Sequence, residues 1–423
     1  MANFKRQKAI ISAIDWDVDH MRDRIGANYA NIARSASTST IDVSAIGTGG
    51  IASGAVVGAD GHVYFIPSTK DYVMKLHPDD DSIVHEELGN AVYTYSDGTV
   101  YDGSTQISMF DGDGYLNVGA DGDCFVGGVL APNGHIYCIP YNANYVMKID
   151  TNYGSETYGK PSRIETEITE TDAGASSKCW WGGTLAPNGK IYCAPYNAKW
   201  VLVIDTKTDT ISYLGKDDTS YEFGETNVSV STLMYKGAVL HPDGYIVFVP
   251  YNGQTVACIN LKDESIKFAV RDIQSIGLSN ANKWSGGVYD PTNDGIVFIP
   301  YKKGFSATWG IMYNSTFTIM EHTSYTALSD SQFEGGVLAP NGNIYMVPRN
   351  SDQAAVLSYS SDGASGLFGG TGMGMYMGGV LAPNGCIYCA PYNTGTILKI
   401  SPSPSLNLNF GLSTILSPYL NKF

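Results

Sequence analysis

One string of about fourteen residues, returning seven times, limits what this chain can fold into. It is clearest at Gly127 (GGVLAPNGHIYCIP), Gly182 (GGTLAPNGKIYCAP), Gly335 (GGVLAPNGNIYMVP) and Gly378 (GGVLAPNGCIYCAP). Looser copies begin at Gly54, Gly237 and Gly286. Each copy ends in a proline: Pro67, Pro140, Pro195, Pro250, Pro300, Pro348 and Pro391. Their spacings are 73, 55, 55, 50, 48 and 43 residues. A strand-rich period of about 40–55 residues marks the blade of a β-propeller. The expectation is an all-β chain with seven four-stranded antiparallel blades across 47–423.

Each copy reads as strands and turns. The paired glycines open an innermost strand, where side chains would crowd the axis. Pro-Asn-Gly or Pro-Asp-Gly then turns the chain, with glycine supplying positive φ. The IYCAP-type segment is the second strand, and its proline, lacking an N–H, ends it. In the third copy, Val201 to Asp205 and Ile211 to Leu214 read as strands three and four. The stretch IYCAPYNAKWVLVIDTKTDTISYLG resembles the YVTN-type repeat of the WD40-like propeller superfamily, over about 25 residues per blade. That resemblance implies fold and not function, because the superfamily hosts many activities. The gap from Pro67 to Pro140, which holds the Gly/Asp-rich stretch 110–123, lacks a further double-glycine strand and reads as a long surface loop rather than an eighth blade. Either Thr40 to Ile46 or the tail 405–423 is expected to complete a mixed blade that closes the ring; the sequence does not choose between them.

Residues 1–34 have a different pattern. Ile11, Ile14, Val18, Met21, Ile25 and Ile32 fall on an a/d heptad stripe, with Asn28 in the skipped slot. The expectation is a short amphipathic α-helix that oligomerises or docks on a partner, followed by a linker with a possible closing strand over 35–46. The competing reading folds the helix onto its own propeller.

Composition excludes some partners and chemistries. The chain has 423 residues and a net charge of −15, which disfavours a nucleic-acid polyanion. No apolar run is long enough for a spanning helix, so membrane insertion is not expected. The N-terminal apolar stretch is broken by Asp15, Asp17 and Asp19, unlike a signal peptide. Seven cysteines, an odd number, argue against a disulfide framework. Cys138, Cys193 and Cys389 share a repeat position with Phe65, Phe248, Phe298 and Met346, which makes them core residues. Cys386 and Cys389 form a CxxC whose odd spacing sends the side chains to opposite faces of a strand. His62 and His135 share a position that other copies fill with Lys190, Tyr245, Asn343 and Cys386, and it reads as a solvent-facing turn. Asp111, Asp113, Asp121 and Asp123 lack the bidentate glutamate of an EF-hand. No cofactor, metal or catalytic set is expected.

The candidate site is a ring. An aromatic stands two residues before six of the opening glycines: Phe125, Trp180, Tyr235, Trp284, Phe333 and Tyr376. After the prolines come Tyr141–Asn142, Tyr196–Asn197, Tyr251–Asn252 and Tyr392–Asn393, with Tyr301, Arg349 and Ser68 in the remaining slots. Both sets belong to one rim. They suit ligand binding, or they wedge between blades and repeat because the blades do. Trp181 escapes that second account, since Val126, Lys236, Ser285, Glu334 and Met377 replace it elsewhere. The layout of helix, linker and propeller head resembles bacteriophage tail fibres and other virion appendages. That resemblance implies a non-enzymatic binding protein, self-associated or docked on virion proteins, placed on a particle assembled in host cytoplasm, and holding a glycan or protein receptor. A lectin-like or cell-associated propeller is the alternative, cytoplasmic in one version, and an enzyme with a central pocket is a third class.

Overall fold

A computed structural model describes residues 36–45, 47–70, 73–83, 93–94, 100–101, 123–164, 166–216, 233–270, 282–291, 294–301, 307–313, 316–323, 332–357, 366–369 and 375–402. Among them, six antiparallel four-stranded sheets and one three-stranded sheet stand in a ring. The six complete blades correct the expectation of seven. Among the described residues the first repeat contributes Ala52–Val57, Val63–Pro67 and Met74–Leu76, with Ile83 bridging Leu76 at the outer edge. The stretch expected as a long loop includes a small ladder, Tyr93–Thr94 with Val100–Tyr101. Residues 102–122, with Asp111, Asp113 and Asp121, lie outside the described residues. So does the expected N-terminal helix, with Ile11, Ile14, Val18, Met21, Ile25 and Ile32. The helix that is described is one turn, Glu170–Ala173, which the sequence pattern did not reveal. Thr169 and Asp172 form its capping box.

The two glycines have separate tasks. Gly54, Gly127, Gly182, Gly237, Gly286, Gly335 and Gly378 all have positive φ and collar the axis. A Cβ on each would face the next glycine's Cα, at 2.9 Å for Gly286 against Gly335 and 3.5 Å for Gly378 against Gly54. Each sits where the register of strands one and two slips, as between Trp180 and Gly183 in the third repeat. This is a β-bulge with a left-handed residue, which bends the inner strand at the axis. The following residue is Gly or Ala because it packs on the previous blade; a Cβ on Gly128 would lie 2.7 Å from Ile66 Cδ1.

The strand prolines end strand two as expected, each opposite the residue that starts strand one (Trp180 with Pro195). Between blades lie separate apolar seams, each joining one sheet to the next. Cys138, Cys193 and Cys389 are fully buried in these seams, as are Phe248, Phe298 and Met346 in the same slot. Burial pushes all three thiols well above the ordinary range. Cys386 packs against a different seam from Cys389, so the CxxC does not converge. The N-terminal alternative closes the ring: Ser37–Asp42 pairs antiparallel with Thr396–Ser401 as the outer strand of the last blade. No helix among the described residues is long and apolar enough to cross a membrane.

Gly286→Ala should test the collar. The strained φ and the contact with Gly335 together should cost about 2–4 kcal/mol. Gly385 has a similar φ of 81° with nothing within 4 Å of an added Cβ, so Gly385→Ala carries strain alone. Denaturant melts should show Gly286→Ala clearly the less stable of the two.

Candidate functional site

Every inner strand starts on the same end of the axis, and every second strand returns to it, so the rings foreseen from sequence do share a rim. They divide by depth. Trp180, Trp284 and Tyr376 are fully buried, as are Phe125, Tyr235 and Phe333. They fill the seams; Trp180 also donates its indole N–H to Trp200 O at 2.9 Å. None of the six presents a surface to a ligand.

The Tyr-Asn pairs join blade to blade. Tyr196 N–H donates to Cys179 O of its own blade at 2.8 Å, and Tyr196 O accepts from Met234 N of the next blade at 2.8 Å. The same relay passes through Tyr141 to Cys179, Tyr251 to Lys283, Tyr301 to Gln332, Ser68 to Cys124 and Tyr392 to Ile51. The asparagine adds a side-chain staple. Asn142, Asn197, Asn252 and Asn393 accept on Oδ1 from the N–H of Lys178, Leu233, Asn282 and Gly50, at 2.8–3.1 Å. Those four residues have φ of 55°, 58°, 61° and 59°. A left-handed Leu or Lys is costly, and the staple holds it there. The amide oxygens are thus committed to the backbone rather than offered to a ligand.

What remains at the axial end is a cluster on top of the glycine collar. Tyr141, Tyr196, Tyr251, Val126 and Met377 form its buried part, with Trp181, Tyr301 and Tyr392 packed against it and half-buried. At its centre Lys236, 3% exposed, lies 3.8 Å from the Trp181 ring centroid, 4.3 Å from that of Tyr251 and 4.6 Å from that of Tyr301. An ammonium desolvated among aromatic faces gains cation–π attraction of about 2 kcal/mol. Its counter-charge is Glu334, also buried, at 3.1 Å. Glu334 further accepts from Arg349 at 2.9 Å and from the Ser285 hydroxyl. Arg349 lies over Tyr392, whose hydroxyl donates to the buried Asp123 at 2.9 Å.

The charges follow from these contacts. Burial alone would raise the Glu334 carboxyl, but Lys236, Arg349 and the Ser285 hydroxyl outweigh it and hold it below the usual range. For Lys236 the balance goes the other way: burial outweighs the attraction of Glu334, Arg349 repels, and the ammonium is pushed down to about 8. At neutral pH both are ionised. Sequence reasoning foresaw Trp181 because it broke the repeat. Lys236, Ser285 and Glu334 break it at the same position, and that was the available signal for them. His62, His77, His135 and His241 stand at the opposite end, where strand one turns into strand two and strand three ends. His62 is not the free turn residue expected: its ring bonds Asp60 and His77.

Removing the carboxylate should expose this balance. Glu334→Gln leaves Lys236 buried without its counter-charge, which should cost about 3–5 kcal/mol at neutral pH. A carboxylate with a lowered folded pKa stabilises above its unfolded value and loses that contribution as pH falls through the folded one. The gap between wild type and Glu334→Gln, followed by urea unfolding, should therefore shrink below about pH 4. A gap constant with pH would contradict the assignment.

No family model matches the chain, and no curated protein matches it. Solved structures resemble it in fold. A catalytically inactive histidine-to-alanine variant of virginiamycin B lyase from Staphylococcus aureus, bound to quinupristin, is 14% identical with a TM-score of 0.59, over 86% of this chain and 98% of that one. A streptogramin B lyase structure is 14% identical with a TM-score of 0.58, over 86% and 96%. The extracellular domain of a protein assigned as a hybrid two-component system, from B. thetaiotaomicron, is 12% identical with a TM-score of 0.55, over 86% and 41%. At these identities the likeness carries the propeller fold alone.

Proposed function

We propose that this protein is a non-enzymatic binding propeller that takes a saccharide at the Tyr-rich axial end. The observation that carries this is the half-buried trio Trp181, Tyr301 and Tyr392 around Lys236, Glu334 and Arg349. Aromatic rings offer apolar faces to sugar C–H groups, and the hydroxyls and Arg349 supply polar contacts at the edge. Catalysis is poorly served by the same groups. Glu334 is saturated by three donors and held ionised, so it is a weak base, and Lys236 is enclosed by rings. The lyase neighbour loses its activity with a histidine; in this chain His62, His77, His135 and His241 stand at the other end of the propeller, and His322 is on an outer strand, Thr316–Thr323, away from the axis. A sensor's extracellular domain built on the same fold is compatible with recognition instead. The finer picture, a virion appendage attached or self-associated through residues 1–34, rests on the sequence layout alone, and the similar structures lend it no support.

An oligosaccharide array spanning neutral and carboxylated sugars tests the proposal. Wild type should bind a defined subset. Trp181→Ala and Tyr301→Ala should each weaken that binding about tenfold, the loss of about 1–2 kcal/mol of ring contact, in protein that a thermal melt shows to be folded though less stable, because Lys236 loses a ring. No binding to any sugar, or binding indifferent to both substitutions, would overturn it.

A further inference from the structure

A second cluster lies at the turn end, between the first and second repeats. His62 immediately precedes strand Val63–Pro67, and His77 immediately follows strand Met74–Leu76. They face each other one step beyond the Val63–Leu76 pair. The repeat does not demand this pairing. The same register pair is His135 with Asp150, Lys190 with Asp205 and Tyr245 with Asn260 in the next three blades.

His62 Nε2 and His77 Nδ1 are 2.7 Å apart, with the rings at 71°. Two imidazole lone pairs cannot face each other at this distance with nothing positive between them. Either a proton or a metal cation must lie there. Asp60 fixes which His62 nitrogen is available. Its Oδ2, on a side chain 2% exposed, accepts from His62 Nδ1 at 2.7 Å, from the Tyr64 hydroxyl at 2.8 Å and from the Tyr158 hydroxyl at 2.7 Å. With Nδ1–H given to the carboxylate, Nε2 carries the lone pair and points at His77. A buried carboxylate behind a histidine is the arrangement that orients metal-ligating imidazoles. Lys75, 3.4 Å from Asp60, is the nearby opposing charge, and its ammonium is held by the Tyr158 hydroxyl at 2.6 Å. The His62 side chain is 17% exposed, so the pair can be reached from solvent.

We propose that His62 and His77 form a two-imidazole clamp for a first-row divalent transition cation of the Zn2+ or Cu2+ class. Imidazole nitrogen suits these ions, whereas Mg2+ and Ca2+ prefer oxygen. Bonds of about 2.0–2.1 Å at a tetrahedral angle put the nitrogens about 3.3 Å apart, so the rings separate by about 0.6 Å. The proton between them moves to His77 Nε2, and water completes the coordination. Asp79 and Asp80, in the turn beside His77, favour approach of a cation, whereas Asp81 is paired with Lys399.

The test uses the untagged full chain, with Zn2+ calorimetry and the visible absorption of Co2+. Wild type should take one saturable equivalent. His62→Ala and His77→Gln should lose it, and His135→Ala should keep it. Asp60→Asn should weaken it about 10–100-fold. Melting temperatures in chelator establish that each variant is folded, and His77→Gln retains size and polarity should the alanine variant fail. No saturable equivalent in wild type would overturn the proposal and leave the pair sharing a proton only. So would an unchanged affinity in folded His77→Gln.

Discussion

The backbone hydrogen bonds that pass from blade to blade at the axial end are the constraint on which the rest depends. A propeller blade is a sheet with two apolar faces, and burying them fixes only that blades stack. It does not fix how the inner strands meet at the axis. Here the residue after each strand-two proline gives its N–H to its own blade, as Tyr196 does to Cys179 O, and in six junctions its carbonyl accepts from the next. The asparagine staples hold the neighbouring left-handed residues. With the lead-ins fixed, the inner strands converge so closely that only glycine fits the collar. The strand Ser37–Asp42, closing the last blade, joins the two ends of the described ring.

Much of this was legible in the sequence, because a repeat makes seven statements of one geometry. The double glycine, the Pro-Asn-Gly turn and the terminal proline each matched a physical need of the strand carrying it. The apolar slot shared by Cys138, Cys193 and Cys389 identified the core from pattern alone. The repeat was less informative about the role of Tyr and Asn. A conserved-looking pair on a rim suits a ligand as well as a staple, and only the bonds show that Asn142, Asn197, Asn252 and Asn393 serve the backbone. That only three strands of the first blade are found among the described residues was hidden for another reason: strands one and two match the repeat there, and the outer strand never carries the motif. The turn Glu170–Ala173 is four residues long, too short for periodicity to register.

The proposed binding site lies where the repeat fails. The position before each opening glycine projects onto the axis, and its occupants are Ser53, Val126, Trp181, Lys236, Ser285, Glu334 and Met377. Backbone geometry asks nothing specific of that position, so side-chain chemistry is free to vary there. The same logic applies at the other end, where a register pair filled differently in each blade becomes His62 and His77 in one. Stapled backbone at the axial rim lets such a site sit on rigid strands, which favours recognition over induced rearrangement.

If the relay welds the blades, the ring unfolds as one unit. Native-state hydrogen exchange measures this most directly, at the amides of Cys179, Tyr196, Met234, Tyr251 and Lys283. These lie in three consecutive blades and donate the relay's own bonds. The account predicts that all five exchange with one free energy, equal to that of global unfolding. Amides that exchange blade by blade, with free energies several kcal/mol apart, would contradict it.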